Sequence, residues 1–184
     1  MYVARYSPAL EAHYEGNHAV KPSNPNHASR SAFDPKLLDD TNRRLLRELQ
    51  ADARLSMAEL GRRVALSPPA VAERVQRLEQ AGVILAYRAE IDPRALGFAV
   101  AAIVRVRPAM GQLHKIPEIA KSTPEVVECH RITGEDCYLL VVRLRALEDL
   151  EAVLDRFALH GQTTTSIVHS SPVARRLAVI DRDD

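Results

Sequence analysis

Between residues 99 and 171 the sequence alternates strand-like and helix-like segments in the order βαββαβ, and this order constrains the fold more than any other feature. The six segments are residues 99–108, 113–122, 126–133, 137–145, 147–160 and 163–171. The order is that of the split-βαβ, ferredoxin-like arrangement, in which two helices cover one face of a four-stranded antiparallel sheet. We therefore predict a ferredoxin-like domain over residues 99–180.

The second face of that sheet is too apolar for a domain that stands alone. Two helices cover only one face, so the other face should be polar in a monomer. In strand three, Leu139 and Val141 point away from the face that carries Tyr138 and Leu140, and Ile103 of strand one lies on the second face as well. An apolar face needs cover, and we predict a homodimer with two-fold symmetry through it. A moderately apolar exposed face, or cover by another part of this chain, remains an alternative.

Three amphipathic helices are predicted upstream of the sheet. The first has one apolar face, formed by Leu38, Leu45, Leu46 and Leu49. Ser56 lies three residues before Glu59, the spacing of a capping box, which predicts the start of a short second helix. Its inward residues are predicted to be Met57, Leu60 and Val64.

A third helix is predicted to begin at Ser67, directly before Pro68 and Pro69. Serine accepts a hydrogen bond as an N-cap, and proline suits the first turn because its missing N–H would be unpaired there. Gly82 is positioned for a left-handed C-terminal cap. The core stripe between these ends consists of Val71, Val75 and Leu78. Residues 83–92 then alternate apolar and polar side chains, which predicts a strand or a small β wing.

A short helix, a three-residue turn and a longer helix are typical of a helix-turn-helix, whose second helix enters the major groove of double-stranded DNA. Arg74 is the predicted guanine reader and Arg77 the predicted phosphate contact, and the N–H groups at the helix start suit a phosphate as well. A plain solvated face, with Glu73 and Arg77 as an i, i+4 ion pair, is the alternative. The predicted DNA contacts are Ser67, Pro69, Ala70, Glu73, Arg74 and Arg77.

Charge and cysteine content narrow the classes of function. The chain has 25 basic and 24 acidic residues, so a nucleic-acid surface has to be a local patch. It has two cysteines, no secretory signal and no apolar run long enough to cross a membrane. These features favour a cytoplasmic protein without a membrane partner.

The chain is predicted to be of the α+β class, with an N-terminal winged helix-turn-helix and a C-terminal ferredoxin-like domain. The polar, proline-containing N-terminal segment has no sustained apolar period, which indicates a disordered extension. The predicted boundaries are residues 1–33 for the extension, 34–90 for the DNA-binding domain, 91–98 for a linker, 99–180 for the ferredoxin-like domain and 181–184 for a tail.

Three stretches carry a family resemblance: LDDTNRRLLRELQADARLSMAELGRRVALSPPAVAERVQRLEQAGVI, VVECHRITGEDCYLLVVR and TTTSIVHSSPVARR. Residues 34 to about 180, which contain them, resemble the Lrp/AsnC family of feast/famine regulators. The resemblance implies a winged helix-turn-helix followed by a ferredoxin-like (RAM-type) domain that senses amino acids. It also implies dimers that often associate into octamers and control of transcription, with no cofactor other than an amino-acid effector.

In that family, effectors sit between subunits near the loop that joins strands two and three. The resemblance therefore places an effector site at Thr133, Gly134, Glu135 and Asp136. The common family pattern is Gly, two variable residues and Asp, whereas here Cys137 stands at the Asp position and Asp136 precedes it. Either Asp136 takes over contact with an effector's amino group, or the specificity differs, or no amino acid binds here. A tight hairpin turn is the purely structural interpretation.

Catalysis and metal binding are not predicted. Cys129 and His130 are neighbours in a strand, so they point to opposite faces and cannot form a nucleophile-base pair. His114 and Glu118 share a helix face, but two residues do not make a metal site. RNA binding is disfavoured because aromatic residues make up only 4% of the chain. The remaining rival is an oligomeric amino-acid-binding module whose helical part has no DNA role.

Overall fold

The computed structural model describes residues 34–173, 175–178 and 180. These residues form two compact units, and the second unit runs from Glu90 to Arg175. The first unit extends to Ala89 and takes up the chain again from Arg176. The predicted extension and the predicted tail lie outside the described residues, and the functional boundaries at 90 and 98 stay predictions. Within the described residues, no helix is both long and apolar enough to cross a membrane.

The described residues of the first unit form three helices, preceded by a 3-10 turn at Pro35–Leu38. The helices are α1 (Asp40–Ala51), α2 (Met57–Val64) and α3 (Pro68–Gln80). Their apolar faces meet in one buried core, as the periodicity predicted, except that Leu38 lies in the 3-10 turn before α1 and Leu46 is only half-buried. The core residues are Leu45, Leu49, Leu60, Val64, Val71, Val75, Leu78 and Ile84.

Side-chain caps fix where α1 and α2 begin. The Asp39 carboxylate accepts the Asn42 N–H at 2.7 Å, and the Ser56 hydroxyl accepts the Glu59 N–H at 3.2 Å, which confirms the predicted start of the second helix. Met57 was predicted to point inward, but the residue is 36% exposed. A helical side chain covers the turn that precedes its own Cα, and Met57 is the first residue of α2, so no core lies beneath it.

A glycine cap ends α3, as predicted. Gly82 has a φ of +69° and its N–H donates to the Glu79 carbonyl, while the Val83 N–H donates to the Leu78 carbonyl, both at 2.9 Å. This pair of hydrogen bonds is a Schellman motif, which satisfies carbonyls that the helix leaves unpaired.

The predicted β wing over residues 83–92 is not formed, since these residues make no strand pairing with any described part of the chain. A hairpin needs a second strand, and Asp92 instead caps a 3-10 turn at Pro93–Leu96 that ends at Gly97, with a φ of +86°. The alternating pattern therefore marks an extended connection. It leaves Ile91 and Leu96 more than half exposed.

The second unit is a four-stranded antiparallel sheet with two helices, and its element order βαββαβ confirms the ferredoxin-like prediction. The strands lie side by side in the order β2-β3-β1-β4. Their bounds are β1 (Val100–Pro108), β2 (Val126–Arg131), β3 (Tyr138–Leu144) and β4 (Gly161–Ile167), and the helices are α4 (Lys115–Lys121) and α5 (Asp149–Ala158). The buried core is formed by Ala102, Val104, Val106, Ile116, Ala120, Tyr138, Leu140, Val142, Leu144, Val153 and Phe157.

Strand register separates the two faces of the sheet. Val104 lies opposite Leu140 on the face that the helices cover, while Ile103 lies opposite Val141 on the other face. Alternation along β3 is complete, with every second residue buried. Ile103 and Val141 are only half-buried. The second face is thus apolar at its centre within this unit, as the strand pattern predicted.

Candidate nucleic-acid interface and effector loop

A tight turn joins α2 to α3 and fixes the start of α3. The Leu66 N–H donates to the Gly61 carbonyl at 2.9 Å, and Ala65 adopts a left-handed conformation with a φ of +59°. Gly61 is buried, and a Cβ placed on it would lie 2.5 Å from the Leu66 carbonyl oxygen. The turn therefore closes against a glycine inside α2, a feature that the sequence analysis did not single out.

One side of α3 is open to solvent, opposite the buried stripe of Val71, Val75 and Leu78. Its exposed residues are Pro68, Pro69, Ala72, Glu73, Gln76, Arg77 and Gln80. Among the predicted DNA contacts, Ser67 is also exposed and Ala70 is half-buried. Ala72, Gln76 and Gln80 were missed, although helical spacing from Pro69 and Glu73 places them on the same side.

The N-terminus of α3 offers fewer hydrogen-bond donors than predicted. Ser67 is the N-cap residue, as predicted, but its hydroxyl makes no capping hydrogen bond within the described chain. Pro68 and Pro69 occupy the first two helical positions and have no N–H group. Ala70 carries the first backbone donor of the helix, so the predicted phosphate contact at the helix start has fewer N–H groups than expected and stays a prediction.

Arg74 was predicted to project freely from α3, but its side chain is bonded within the first unit. Its guanidinium Nη1 lies 2.7 Å from the Asp39 carboxylate and 3.0 Å from the Asn42 side-chain oxygen, so it links α3 to the start of α1. The hydrogen bond from Arg74 and, next, that from the Asn42 N–H hold the pKa of Asp39 below its ordinary value. Further along α3, Arg77 and Glu73 form the i, i+4 ion pair that was the alternative interpretation.

The lowered pKa of Asp39 gives a pH-dependent prediction for Arg74→Met. A carboxylate with a depressed pKa stabilises the fold above its unfolded pKa of about 3.8 and loses that stabilisation as the pH falls. Because both side chains are partly exposed, we expect Arg74→Met to cost about 1 kcal/mol at about pH 7 and much less at about pH 3. Urea unfolding at the two pH values measures the difference. Arg88→Met, on an exposed arginine, is the control, and equal losses in both variants would contradict the prediction.

The predicted effector segment is a tight hairpin loop between β2 and β3. The Ile132 N–H donates to the Cys137 carbonyl at 2.9 Å, and Gly134 has a φ of +104°. Thr133, Gly134 and Glu135 are exposed, whereas the Asp136 side chain is only 20% exposed.

Two arginines of β1 face the carboxylates of this loop and were not predicted. Arg107 pairs with Glu135, and its Nε lies 3.7 Å from Asp136 Oδ1. Arg105 Nη1 lies 3.6 Å from Asp136 Oδ2. Residues 105 and 107 share the face of the sheet that the helices leave open, a relation that strand alternation alone would have given. The loop thus combines carboxylates with guanidinium groups, which can bind the ammonium and the carboxylate of one small molecule.

The register of the sheet keeps Cys129 and His130 apart, as predicted. Cys129 lies opposite Leu140 of the core face, and His130 lies opposite Leu139 of the other face. Although Cys129 is exposed, local desolvation raises the pKa of its thiol, which lowers the thiolate fraction that a nucleophile requires. No group of three or more His, Cys, Asp or Glu side chains in the described residues is arranged to hold a metal ion.

Two family models match the chain, one on each unit. Residues 38–79 match the AsnC-type helix-turn-helix domain, and residues 101–178 match the Lrp/AsnC ligand binding domain. The first match contains all of α1 and α2 and all of α3 except Gln80. The second contains the whole sheet except for the first residue of β1.

Relatives and solved structures agree with these matches. The chain is 36% identical to the HTH-type transcriptional regulator LrpC of Bacillus subtilis, over 72% of this chain and 92% of LrpC. It is 37% identical to the HTH-type transcriptional regulator LrpA of Mycobacterium tuberculosis, over 79% of this chain and 95% of LrpA. Among solved structures, a feast or famine regulatory protein from M. tuberculosis in complex with L-methionine matches with a TM-score of 0.72 and 36% identity, covering 77% of this chain and 99% of that one.

Proposed function

The chain belongs to the Lrp/AsnC family, and from that premise we propose that it is a sequence-specific transcriptional regulator that reads double-stranded DNA and senses an amino acid. The observation that carries the proposal is the open side of α3, held by the closed turn at Gly61 and presenting small residues near the helix start. The names of the relatives, which are transcriptional regulators, support the same class. We place its action in the cytoplasm, where a bacterial-type regulator meets DNA.

The residues on the open side of α3 are the proposed base readers, because helix-turn-helix proteins place their second helix in the major groove. The Gln76 amide can pair with both polar atoms of an adenine edge, and Ala72 can contact a thymine methyl group. Pro69 is small enough to allow close approach. Arg77, exposed beside Glu73, is the proposed phosphate contact.

For Arg74 we propose a different role from the one predicted. Its guanidinium is already bonded to Asp39 and Asn42, so we propose that Arg74 positions α3 against α1 rather than reading a base. Ser67 and Ala70 stay proposed DNA contacts at the helix start.

A dimer would give the regulator two copies of α3. Support comes from the open sheet face, where half-buried Ile103, Leu139 and Val141 form an apolar centre. We propose that a second copy covers this face with two-fold symmetry. The expected operator is then a pseudo-palindrome with half-sites about one helical turn, or a multiple of it, apart. Association of dimers into octamers is the further assembly that the family resemblance implies.

The effector is proposed to bind at the hairpin loop. Asp136 would contact the ammonium group of an amino acid, and Arg105 or Arg107 would contact its carboxylate, given their distances of 3.6 and 3.7 Å from Asp136. A relative in complex with L-methionine supports an amino acid as the class of ligand. Binding changes DNA affinity only if the amino acid favours one assembly over another.

In vitro selection from a random DNA library tests the proposed function. Fluorescence anisotropy at fixed salt then compares the selected duplex with a scrambled one, without and with each proteinogenic amino acid. Saturable binding that prefers the selected duplex supports a sequence-specific regulator, since a basic surface alone gives salt-sensitive binding to both duplexes. Equal binding to both duplexes would leave the amino-acid-binding module without a DNA role as the better description.

Gln76→Ala is expected to weaken binding to the selected duplex by about 1–3 kcal/mol and to relax the preference at one base pair, because it removes a base contact. Anisotropy against duplexes with single base changes measures both effects. Gln80→Ala is the matched control, since Gln80 has the same side chain on the same open side but is the last residue of α3, one turn beyond Gln76. A uniform loss over all duplexes with Gln76→Ala would mark a phosphate contact instead.

Asp136→Ala is expected to abolish the response of DNA binding to the amino acid while binding without the amino acid stays near the wild-type value. The reason is that Asp136 supplies the proposed contact to the ammonium group and lies on a different unit from α3. Anisotropy titrations with and without the effector measure the response. If the variant responds as the wild type does, the effector site is placed wrongly.

A further inference from the structure

A second cavity in the ferredoxin-like unit lies at the opposite end of the sheet from the effector loop. β3 begins at Tyr138, beside the loop, and ends at Leu144, which lines this cavity. The cavity has a volume of about 280 Å³, close to the lower end of small-molecule sites. Its charged lining residues are Glu125, Arg143, Arg145, Asp149 and Arg156. The apolar part of the wall is formed by Phe98, Leu144, Ala152 and Val153.

An unpaired carboxylate oxygen distinguishes this cavity from an ordinary surface groove. Glu125 Oε2 is shielded from solvent, yet it has no hydrogen-bond partner in the described part of the chain. The backbone of Glu125 is fixed, because its carbonyl accepts the Arg143 N–H at 2.8 Å. A buried carboxylate oxygen without a donor is costly, so a ligand that brings a donor to it would remove that cost.

The positive charge of the lining exceeds its negative charge and is only partly satisfied within the unit. Arg145 stacks its guanidinium over the Phe98 ring, 5.0 Å from the ring centre, a contact that leaves guanidinium N–H groups free of a carboxylate. Arg156 donates to the Ser122 carbonyl at a long 3.3 Å. Asp149, by contrast, already accepts the Ala146 N–H at 3.0 Å. Among the described residues, the lining therefore holds one carboxylate oxygen that lacks a donor, on Glu125, and two arginines that lack a carboxylate partner, Arg145 and Arg156.

We propose that this cavity is a separate binding site for a free α-amino acid. Its ammonium group pairs with Glu125, its carboxylate pairs with Arg145 or Arg156, and its side chain packs on Phe98 and Val153. An ammonium and a carboxylate on one small molecule supply the two partners that the lining lacks, and arginine recognises carboxylates well. This site is independent of the proposed effector loop, so either can exist without the other.

The site also places a bound ligand beside the segment that leads into the sheet. Phe98 lies between Gly97 and β1, and a Cβ at Gly97 would come within 2.8 Å of Arg145 Nη1. A carboxylate that draws Arg145 off the Phe98 ring therefore acts directly on residues 97–98.

Isothermal titration calorimetry of the full chain with each proteinogenic amino acid tests the proposal. In the Asp136→Ala background, at least one amino acid is expected to bind saturably at one site per chain. Adding Glu125→Gln should weaken that binding at least about tenfold, whereas Glu151→Gln, on an exposed part of α5, should leave it unchanged. Acetate and methylamine, which each carry half of the charge pattern, should bind at least about tenfold more weakly than that amino acid.

Arg145→Gln provides a second variant if circular dichroism shows that Glu125→Gln does not fold. Absence of binding to folded Asp136→Ala chains, or unchanged affinity in both cavity variants, would overturn the cavity site. Binding that Asp136→Ala removes and Glu125→Gln retains would overturn the cavity site while supporting the effector loop. The reverse pattern would support the cavity and overturn the loop placement, and neither result bears on DNA binding by α3.

Discussion

Replacing Gly61 by alanine is expected to destabilise the first unit by about 2–3 kcal/mol and to abolish specific DNA binding. Inside a helix, the change from glycine to alanine ordinarily stabilises by about 1 kcal/mol. Here the added Cβ would lie 2.5 Å from the Leu66 carbonyl oxygen, a backbone atom that can move only if the turn into α3 opens. The steric cost therefore exceeds the gain in helix propensity and reverses its sign.

Urea unfolding followed by circular dichroism measures the stability of the Gly61→Ala chain, and anisotropy measures its binding to DNA. Ala58→Gly is the matched control, because Ala58 is exposed on the same helix and should lose only about 1 kcal/mol from helix propensity. An increase in stability for Gly61→Ala would show that the turn does not close on Gly61 as described.

Phe157→Ala is expected to lower the free energy of unfolding of the second unit by about 3–5 kcal/mol. Phe157 is fully buried in α5, among the largest side chains of the core between helices and sheet. Truncation removes its apolar contacts and leaves a cavity that close-packed neighbours fill only in part. Since whole domains are stable by about 5–15 kcal/mol, this loss brings the unit close to unfolding.

Leu159→Ala is the control for Phe157→Ala. Leu159 lies two residues further along, beyond the end of α5, and is 88% exposed, so its truncation should change stability by less than about 0.5 kcal/mol. Denaturant unfolding of both variants gives the comparison. A loss below about 1 kcal/mol for Phe157→Ala would contradict the assignment of Phe157 to the core.

The features that could be predicted from sequence depend on neighbouring residues. The Ser56 cap of α2 and the glycine cap at Gly82 use hydrogen bonds between residues a few positions apart. The alternation of β3 gives its two faces directly. The prediction of a β wing was wrong for a related reason. Alternation over residues 83–92 describes one extended segment and does not identify a strand that would pair with it.

The features that were missed depend on residues distant in sequence. Arg74 was assigned to DNA from its helix face, but its partner Asp39 lies 35 residues earlier and no periodicity connects them. Gly61 gave no signal because a glycine within a helical pattern does not show which backbone atom approaches it. Arg105 and Arg107 were missed because only strand pairing brings β1 beside the hairpin loop between β2 and β3.

The path of the chain through the first unit, which carries the helix-turn-helix, determines which fragments would contain that unit completely. Arg43 donates to the Ile180 carbonyl at 3.1 Å and Gln50 donates to the Ala178 carbonyl at 3.3 Å, so the returning segment is hydrogen-bonded to α1. The first unit is discontinuous in sequence, because the ferredoxin-like unit is inserted between its two segments. A fragment that ends at Ala89 would lack the segment from residue 176 onward. A circular permutation that places residues 176–180 ahead of α1 would keep both segments of the first unit together.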